Sequence, residues 1–375
     1  MKKIFLTLLT FCVLFNAVAK NNESLENLKN KRKTAYRQKA VSGEPVEMQE
    51  IWGWVMQSRF YEFDNDLPLT DVGFFAADVD CYGNLTNVPD RSKLANFPGR
   101  VHLVLVCDSK SLTHFVLDPK FGITDKMIKE IMEAAEPFDG INVDYELIPG
   151  KDVQNFLNFL EKLKNECKKA EKMFTVCVPA RVKTISDDTF PYEKIATLAD
   201  RVMIMAYDEH WSTSQPGPIA SMNWCEKIVD YAVTVIPQEK LVMGLPFYGR
   251  SWANEKPAQA WYFEGVNRII DEYKAGRVTY INDIPNVEVT MKVKANFWFE
   301  DTYSTVAKMR LYKNFNVNKI AFWRIGQEDK TVWQWLKVEE IDAVKNQAIR
   351  RKFAVNSLIF HRKCLKSTYV YLGIF

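Results

Sequence analysis

The segment Phe138-Asp139-Gly140-Ile141-Asn142-Val143-Asp144-Tyr145-Glu146 lies between two stretches of helical periodicity. Thr124 to Ala135 carries apolar residues at Met127, Ile128, Ile131 and Met132, and Val153 to Cys167 carries them at Val153, Phe156, Leu157, Leu160 and Leu163. A strand flanked by two amphipathic helices belongs to a parallel sheet covered on both faces. Strand side chains alternate with a period of two, so Asn142, Asp144 and Glu146 share one face and Ile141, Val143 and Tyr145 the other. Such a sheet has no place for a polar row unless the row serves a site, because carboxylates are rarely buried unpaired. One short segment therefore constrains the fold and the place of the chemistry together.

Seven other runs rich in Val, Ile, Phe and Met alternate with helical stretches. In order, the eight are Glu50–Met56, Asp71–Val79, Val101–Cys107, Gly140–Glu146, Phe174–Pro179, Arg201–Tyr207, Lys240–Pro246 and Lys319–Trp323. This pattern predicts an α/β fold, a (β/α)8 TIM barrel spanning 47–344. The alternative, a doubly wound open sheet, would want a glycine-rich phosphate loop after the first strand, and none is present. Between strand 7 and helix 7, Trp252 to Phe297 predicts a small α+β insertion. Its parts are a helix over Val266 to Tyr273, a strand through Val287, Val289, Met291 and Val293, and a partner strand near Val278 and Tyr280. Thr331 to Ile341 is expected to be the closing eighth helix.

The ends of the chain read differently. Lys2 and Lys3 precede an apolar run from Ile4 to Phe15 and then Ala17-Val18-Ala19, the pattern of a signal peptide over 1–19 and hence of an exported protein. Residues 20–46 are polar and basic and read as a tether or a fraying helix. Residues 345–375 hold seven basic residues and no acidic one, and this basic tail has no assigned role. The formal charge of +3 arises from these ends, and the body between them is acidic, which argues against nucleic acid as a partner. No later run is long and apolar enough to span a bilayer. After Cys12 the remaining cysteines are scattered, with no spacing that suggests a metal site. Cys107 and Cys177 sit in apolar runs and read as core. No metal or cofactor is expected, and the oligomeric state is left open.

A barrel places its active site at the C-terminal ends of its strands. Polar and aromatic residues are therefore expected there and not at the strand starts. Strand four ends in Asp144 and Glu146. Strand six turns polar at Tyr207-Asp208-Glu209-His210-Trp211. Strand seven leads into Phe247-Tyr248-Gly249-Arg250-Ser251-Trp252, and strand eight into Trp323-Arg324-Ile325-Gly326-Gln327-Glu328-Asp329. Carboxylates beside tyrosines and tryptophans suit a sugar, since aromatic faces stack on pyranose rings and carboxyls move protons. Two carboxylates as close as Asp144 and Glu146 repel, so one should hold its proton and serve as a general acid to a glycosidic oxygen. Asn142 can hydrogen-bond Asp144 without adding charge, and Asp139, of the wrong parity, fixes backbone or meets substrate. His210 reads as a loop residue making a hydrogen bond, and Arg250 as a partner of an acid or of substrate. Trp52 and Trp54 read as core, with a sugar contact as the alternative. Glu300 and Asp301 suit a helix N-terminus. No second carboxylate stands out as a nucleophile, which fits glycosidases in which the substrate's own N-acetyl oxygen attacks the anomeric carbon.

Asp139-Gly-Ile-Asn-Val-Asp-Tyr-Glu146 resembles the DGxDxDxE signature of glycoside hydrolase family 18, the chitinases and their relatives. Met205-Ala-Tyr207-Asp208, Gly244-Leu-Pro-Phe-Tyr248-Gly-Arg250 and the Trp323 strand resemble later landmarks of that family, in the same order. The resemblance implies Glu146 as proton donor and Asp144 as the group that orients the acetamido substituent. It also implies that Tyr207 bonds the acetamido oxygen, that Asp208 helps hold the sugar and that Trp323 floors the pocket. Asn142, Tyr248 and Arg250 complete the candidate substrate-binding set. Asn142 stands where chitinases usually carry aspartate, a departure shared with a branch resembling spore-cortex and cell-wall N-acetylglucosaminidases and lysosomal chitobiases. The expected activity is hydrolysis of β-linked N-acetylglucosamine glycans, peptidoglycan first, with retention and substrate assistance. The alternatives are a chitinase or chitobiase, an N-glycan endo-N-acetylglucosaminidase, and a catalytically silent carbohydrate-binding barrel.

Overall fold

The computed structural model describes residue 36 and residues 38–253, 258–290 and 294–339. The expected signal peptide and basic tail lie outside the described residues, as do Met291 and Val293. Two short strands, β1 (Val46–Met48) and β16 (Leu336–Val338), pair in parallel and tie the ends of the described chain together.

The barrel is closed. Its strands are β2 (Glu50–Met56), β3 (Asp71–Val79), β5 (Arg100–Cys107), β6 (Gly140–Tyr145), β7 (Met173–Pro179), β8 (Arg201–Met205), β9 (Leu241–Pro246) and β15 (Lys319–Trp323). Each pairs in parallel with its neighbours, and a β2–β3 pairing and a β15–β2 pairing complete the ring. The hairpin strand β4 (Leu85–Thr86) runs antiparallel to the end of β3. The helices α1 (Lys110–Leu117), α2 (Thr124–Ala134), α3 (Val153–Lys169), α4 (Tyr192–Leu198) and α5 (Met222–Val235) lie between barrel strands. Their apolar stripes pack on the outer faces of the strands; Phe156, Phe159 and Leu160 of α3, for example, are completely buried. Inside the barrel Trp52, Trp54, Val104, Cys177, Met203, Val242 and Ala321 form a separate core, so the two tryptophans of β2 are packing residues.

Polar residues are not confined to the C-terminal rim. At the strand starts Asp71 accepts from Arg100 Nε at 2.6 Å and is bonded to His102 Nε2 at 2.8 Å, and Glu50 receives Arg201 Nε at 2.9 Å. Burial pushes the Asp71 carboxyl up, but the bonds to His102 and Arg100 outweigh it and hold it at about 2. The expectation that strand starts would be free of polar residues is thus corrected. These charges pair with one another at the far end of the barrel.

The insertion follows β9 as predicted. It comprises β10 (Tyr248–Trp252), β11 (Gln259–Tyr262), α6 (Phe263–Glu272), β12 (Thr279–Ile281), β13 (Ile284–Thr290) and β14 (Lys294–Trp298), with the sheet ordered β11-β10-β14-β13-β12 and antiparallel throughout. Val266, Ile269, Ile270, Val287, Val289, Phe297 and Phe299 give it a core of its own, and Tyr36 is buried with them. The Tyr36 hydroxyl donates to Asp301, and Lys39 Nζ meets Asp283 at 2.7 Å. Tyr36 and Lys39, in the segment read as a tether, are thus docked against the insertion. Asp301 caps α7 (Thr302–Asn314) through a capping box with Ser304, and Glu300 pairs with Lys308 at 2.7 Å, so both acids serve the helix start.

Thr331 to Ile341 is not a helix over its described part. Lys330–Trp335 forms a 3-10 helix, not an α-helix, with Asp329 as its N-cap, and Leu336–Val338 then extends to pair with β1. Tertiary pairing of the strand outcompetes a helical pattern too short to hold on its own.

Candidate active site

Four strand ends converge on one cavity of about 430 Å3, lined among others by Asp144, Glu146, Tyr207, Asp208, Tyr248, Arg250 and Trp323. Asp144 is the penultimate residue of β6, and Glu146, the first residue beyond the strand, lies two positions on and shares its face. The Glu146 amide donates to the Cys107 carbonyl at 3.2 Å, which carries the strand pairing up to the residue that faces the cavity. Asp144 is only 4% exposed, whereas Glu146 is exposed to the cavity. Burial, then the charge of Glu146, pushes the Asp144 carboxyl up to about 7. Burial also raises Glu146, assisted by the charges of Asp208 and Asp108. The repulsion expected from strand parity is present at the deeper carboxyl, Asp144.

Tyr207 follows the end of β8. Burial and the neighbouring Asp144 hold its phenol far above the usual range, so it remains a donor. Its ring meets that of Tyr248 edge-on at 6.3 Å. A Cβ at Gly244 would lie 2.6 Å from the Ile204 carbonyl and 3.1 Å from the Tyr207 ring, so only glycine lets β9 pass this close. Asp208 has a left-handed backbone, φ +58°. Its Oδ1 accepts from the Tyr248 hydroxyl at 2.7 Å and from Arg250 Nη2 and Nε at 2.8 and 3.0 Å. The strand of the insertion that carries Tyr248 and Arg250 is thereby bonded to the barrel rim. Trp323, at the end of β15, stands edge-on to Phe75 at 4.9 Å.

Asn142 does not join this group. It is completely buried beneath the cavity, where its Nδ2 donates to Thr175 Oγ1 at 2.8 Å and approaches Met203 Sδ at 3.4 Å. Its Oδ1 accepts from the Cys177 thiol at 3.3 Å, not from Asp144. Parity placed it on the correct face but gave no depth, and depth decides between substrate and support. Asp139 accepts the Val101 amide at 2.8 Å, a backbone role. His210 is bonded to the Pro218 carbonyl at 2.9 Å, as a loop residue. Trp224 and Gln327 also line the cavity and were not among the sequence candidates. Trp224 lies in the first turn of α5, where nothing local marks it; Gln327 lies in the polar stretch after strand eight, which did carry a signal. Among the described residues, His114, Asp118 and Asp152 lie close enough together to ligate a metal, but none of them lines this cavity, and Lys151 Nζ stands 3.1 Å from His114 Nε2.

A closed (β/α)8 barrel with a carboxyl pair at strand four, facing tyrosines and a tryptophan across one cavity, defines a glycosidase. The family model for glycosyl hydrolases family 18 matches residues 123–328. The chain belongs to this family. It is similar to the cortical fragment-lytic enzyme of Bacillus anthracis, 25% identical over 293 residues that cover 72% of this chain and 67% of the relative. It is 26% identical over 234 residues to the uncharacterized glycosylase YvbX of Bacillus subtilis (strain 168), covering 58% of this chain and 65% of the relative. The chain thus spans about two thirds of the length of these relatives. Among solved structures, the Bacillus cereus spore cortex-lytic enzyme SleL aligns with a TM-score of 0.71 at 20% identity, over 80% of this chain and 77% of that one. A chitinase from Chromobacterium violaceum aligns with a TM-score of 0.67 at 21% identity, over 76% and 97%. No helix among the described residues is long and apolar enough to cross a membrane.

Proposed function

We propose that this chain is an exported glycosidase that cleaves β-linked N-acetylglucosamine glycans, with peptidoglycan as its leading substrate, by a retaining, substrate-assisted route. The observation that carries the mechanism is the carboxyl pair, in which Asp144 is buried and raised to about 7 while Glu146 faces the cavity. Glu146 gives its proton to the glycosidic oxygen as the bond to the anomeric carbon breaks. The acetamido oxygen of the same sugar attacks that carbon and forms a cyclic oxazolinium ion. Asp144 and the Tyr207 hydroxyl orient the acetamido group, with Asp144 stabilising the positive charge that develops on its nitrogen. Glu146, now a carboxylate, takes a proton from water, and the resulting nucleophile opens the ring with net retention. Trp323 offers the sugar an apolar floor, and Asp208, Tyr248 and Arg250 form a polar wall of the same cavity. Similarity to a cortical fragment-lytic enzyme supports peptidoglycan over chitin. Incubation of the full chain with purified peptidoglycan and, separately, with chitin oligomers tests the substrate: mass analysis should show peptidoglycan fragments ending in N-acetylglucosamine. Fragments from chitin oligomers alone would reject peptidoglycan.

A further inference from the structure

Beneath the carboxyl pair lies a buried polar chain that the mechanism above leaves unused. The register that pairs Val143 with Val176 sets Cys177 of β7 beside Asp144 of β6. Cys177 is 3% exposed, and its thiol lies 3.3 Å from Asn142 Oδ1. The Asn142 amide cannot turn to suit it, because Nδ2 is held by Thr175 Oγ1 at 2.8 Å and by Met203 Sδ. Thr175 Oγ1 in turn reaches the Ile141 carbonyl at 3.3 Å. The same register brings the buried Asp144 carboxyl alongside this thiol, and its Oδ1 has no hydrogen-bond partner among the described residues. A thiol has one proton to donate, and here it goes to one buried acceptor while a second beside it has no donor.

We propose that Cys177 is a positioning residue whose single S–H proton turns from Asn142 Oδ1 to Asp144 whenever Asp144 ionises. A buried carboxylate with an unpartnered oxygen is costly, whereas a protonated carboxyl is far less so. The thiol therefore steadies Asp144 in its charged state, when the sugar's acetamido nitrogen is positive, and returns to Asn142 when Asp144 regains its proton. Burial keeps the thiol protonated, so it serves as a donor throughout. The other titratable groups facing this pair are Glu146 from the same strand end and Tyr207 from the neighbouring rim, with Asp208 and Asp108 acting on Glu146.

This inference rests on the glycosidase reading, but its main test does not use turnover. The S–H stretching band of Cys177, isolated in the full chain as the infrared difference between wild type and Cys177→Ala, should shift to lower frequency as the pH rises through about 7. In Asp144→Asn the band should stay fixed. Turnover supplies the second readout: Cys177→Ala should lower kcat about tenfold with KM little changed, and Cys177→Ser, which keeps a donor, should recover most of it. If Cys177→Ala does not fold, the serine variant, with wild type as reference, carries the infrared test. A band that ignores pH, or one that shifts equally in Asp144→Asn, overturns the proposal whether or not the enzyme cleaves glycans.

Discussion

Asp208 and Arg250 are joined by two hydrogen bonds to a single carboxylate oxygen, Nη2 at 2.8 Å and Nε at 3.0 Å. One partner stands on the barrel rim and the other on the insertion, so this contact fixes how the polar wall of the cavity meets its carboxyl pair.

Replacing Asp208 with Asn keeps a residue that tolerates φ +58° but removes the charge. Asp208 is one of the charges that raise Glu146. Its loss should let Glu146 ionise at lower pH, so the alkaline limb of the kcat/KM profile should move to lower pH. An unmoved limb would separate Asp208 from the acid. Arg250→Ala should raise KM more than it lowers kcat, with stability changed by no more than about 1 kcal/mol, since the pair is partly exposed.

Asp144 affects stability in a definite direction. Its carboxyl moves from 3.8 to about 7 on folding, so the folded protein holds the proton more tightly than the unfolded chain. This group's contribution to stability is therefore full below about pH 4 and is lost as the pH rises through 7. Asp144→Asn cannot lose it. Between those limits the unfolding free energy of the variant, read from urea titrations, should gain on that of wild type, by on the order of a few kcal/mol at the upper end. A constant difference across the range would contradict the burial assigned to this side chain.

Glu300 and Lys308 form an ion pair that is almost wholly removed from water. Burial raises the Glu300 carboxyl, and Lys308 opposes that rise. Lys308→Met should cost about 3–5 kcal/mol by stranding a buried carboxylate. The double variant with Glu300→Gln should recover much of the loss in a denaturant titration. Equal loss in both variants would show that packing of the lysine stem matters more than the pair.

What was legible in the sequence was local. The β2, β3 and β15 boundaries follow from apolar runs ended by polar residues, and the row Asn142, Asp144, Glu146 follows from strand parity alone. Four separated stretches indicated which strand ends meet, because a barrel brings all its strand ends to one rim. Depth and long-range pairing were not legible. Nothing near Asn142 shows that Thr175, Cys177 and Met203 would enclose it. Tyr36 is buried only because Asp301 and Phe299 lie far along the chain, and the strand at Leu336 forms only because Val46 lies beside it. The polar cluster at the strand starts was invisible for the same reason, since each of its charges looks unpaired until the ring closes.

The account turns on a proton from Glu146 and a nucleophile supplied by the sugar. Its most direct test is the initial rate of reducing-end release from matched β-linked oligomers with and without the 2-acetamido group, for wild type and Glu146→Gln. Wild type should cleave the acetamido oligomers alone, and the variant should be slower by about 10²–10⁴-fold while still binding them. Equal rates on both oligomers, or an unimpaired variant, would contradict it.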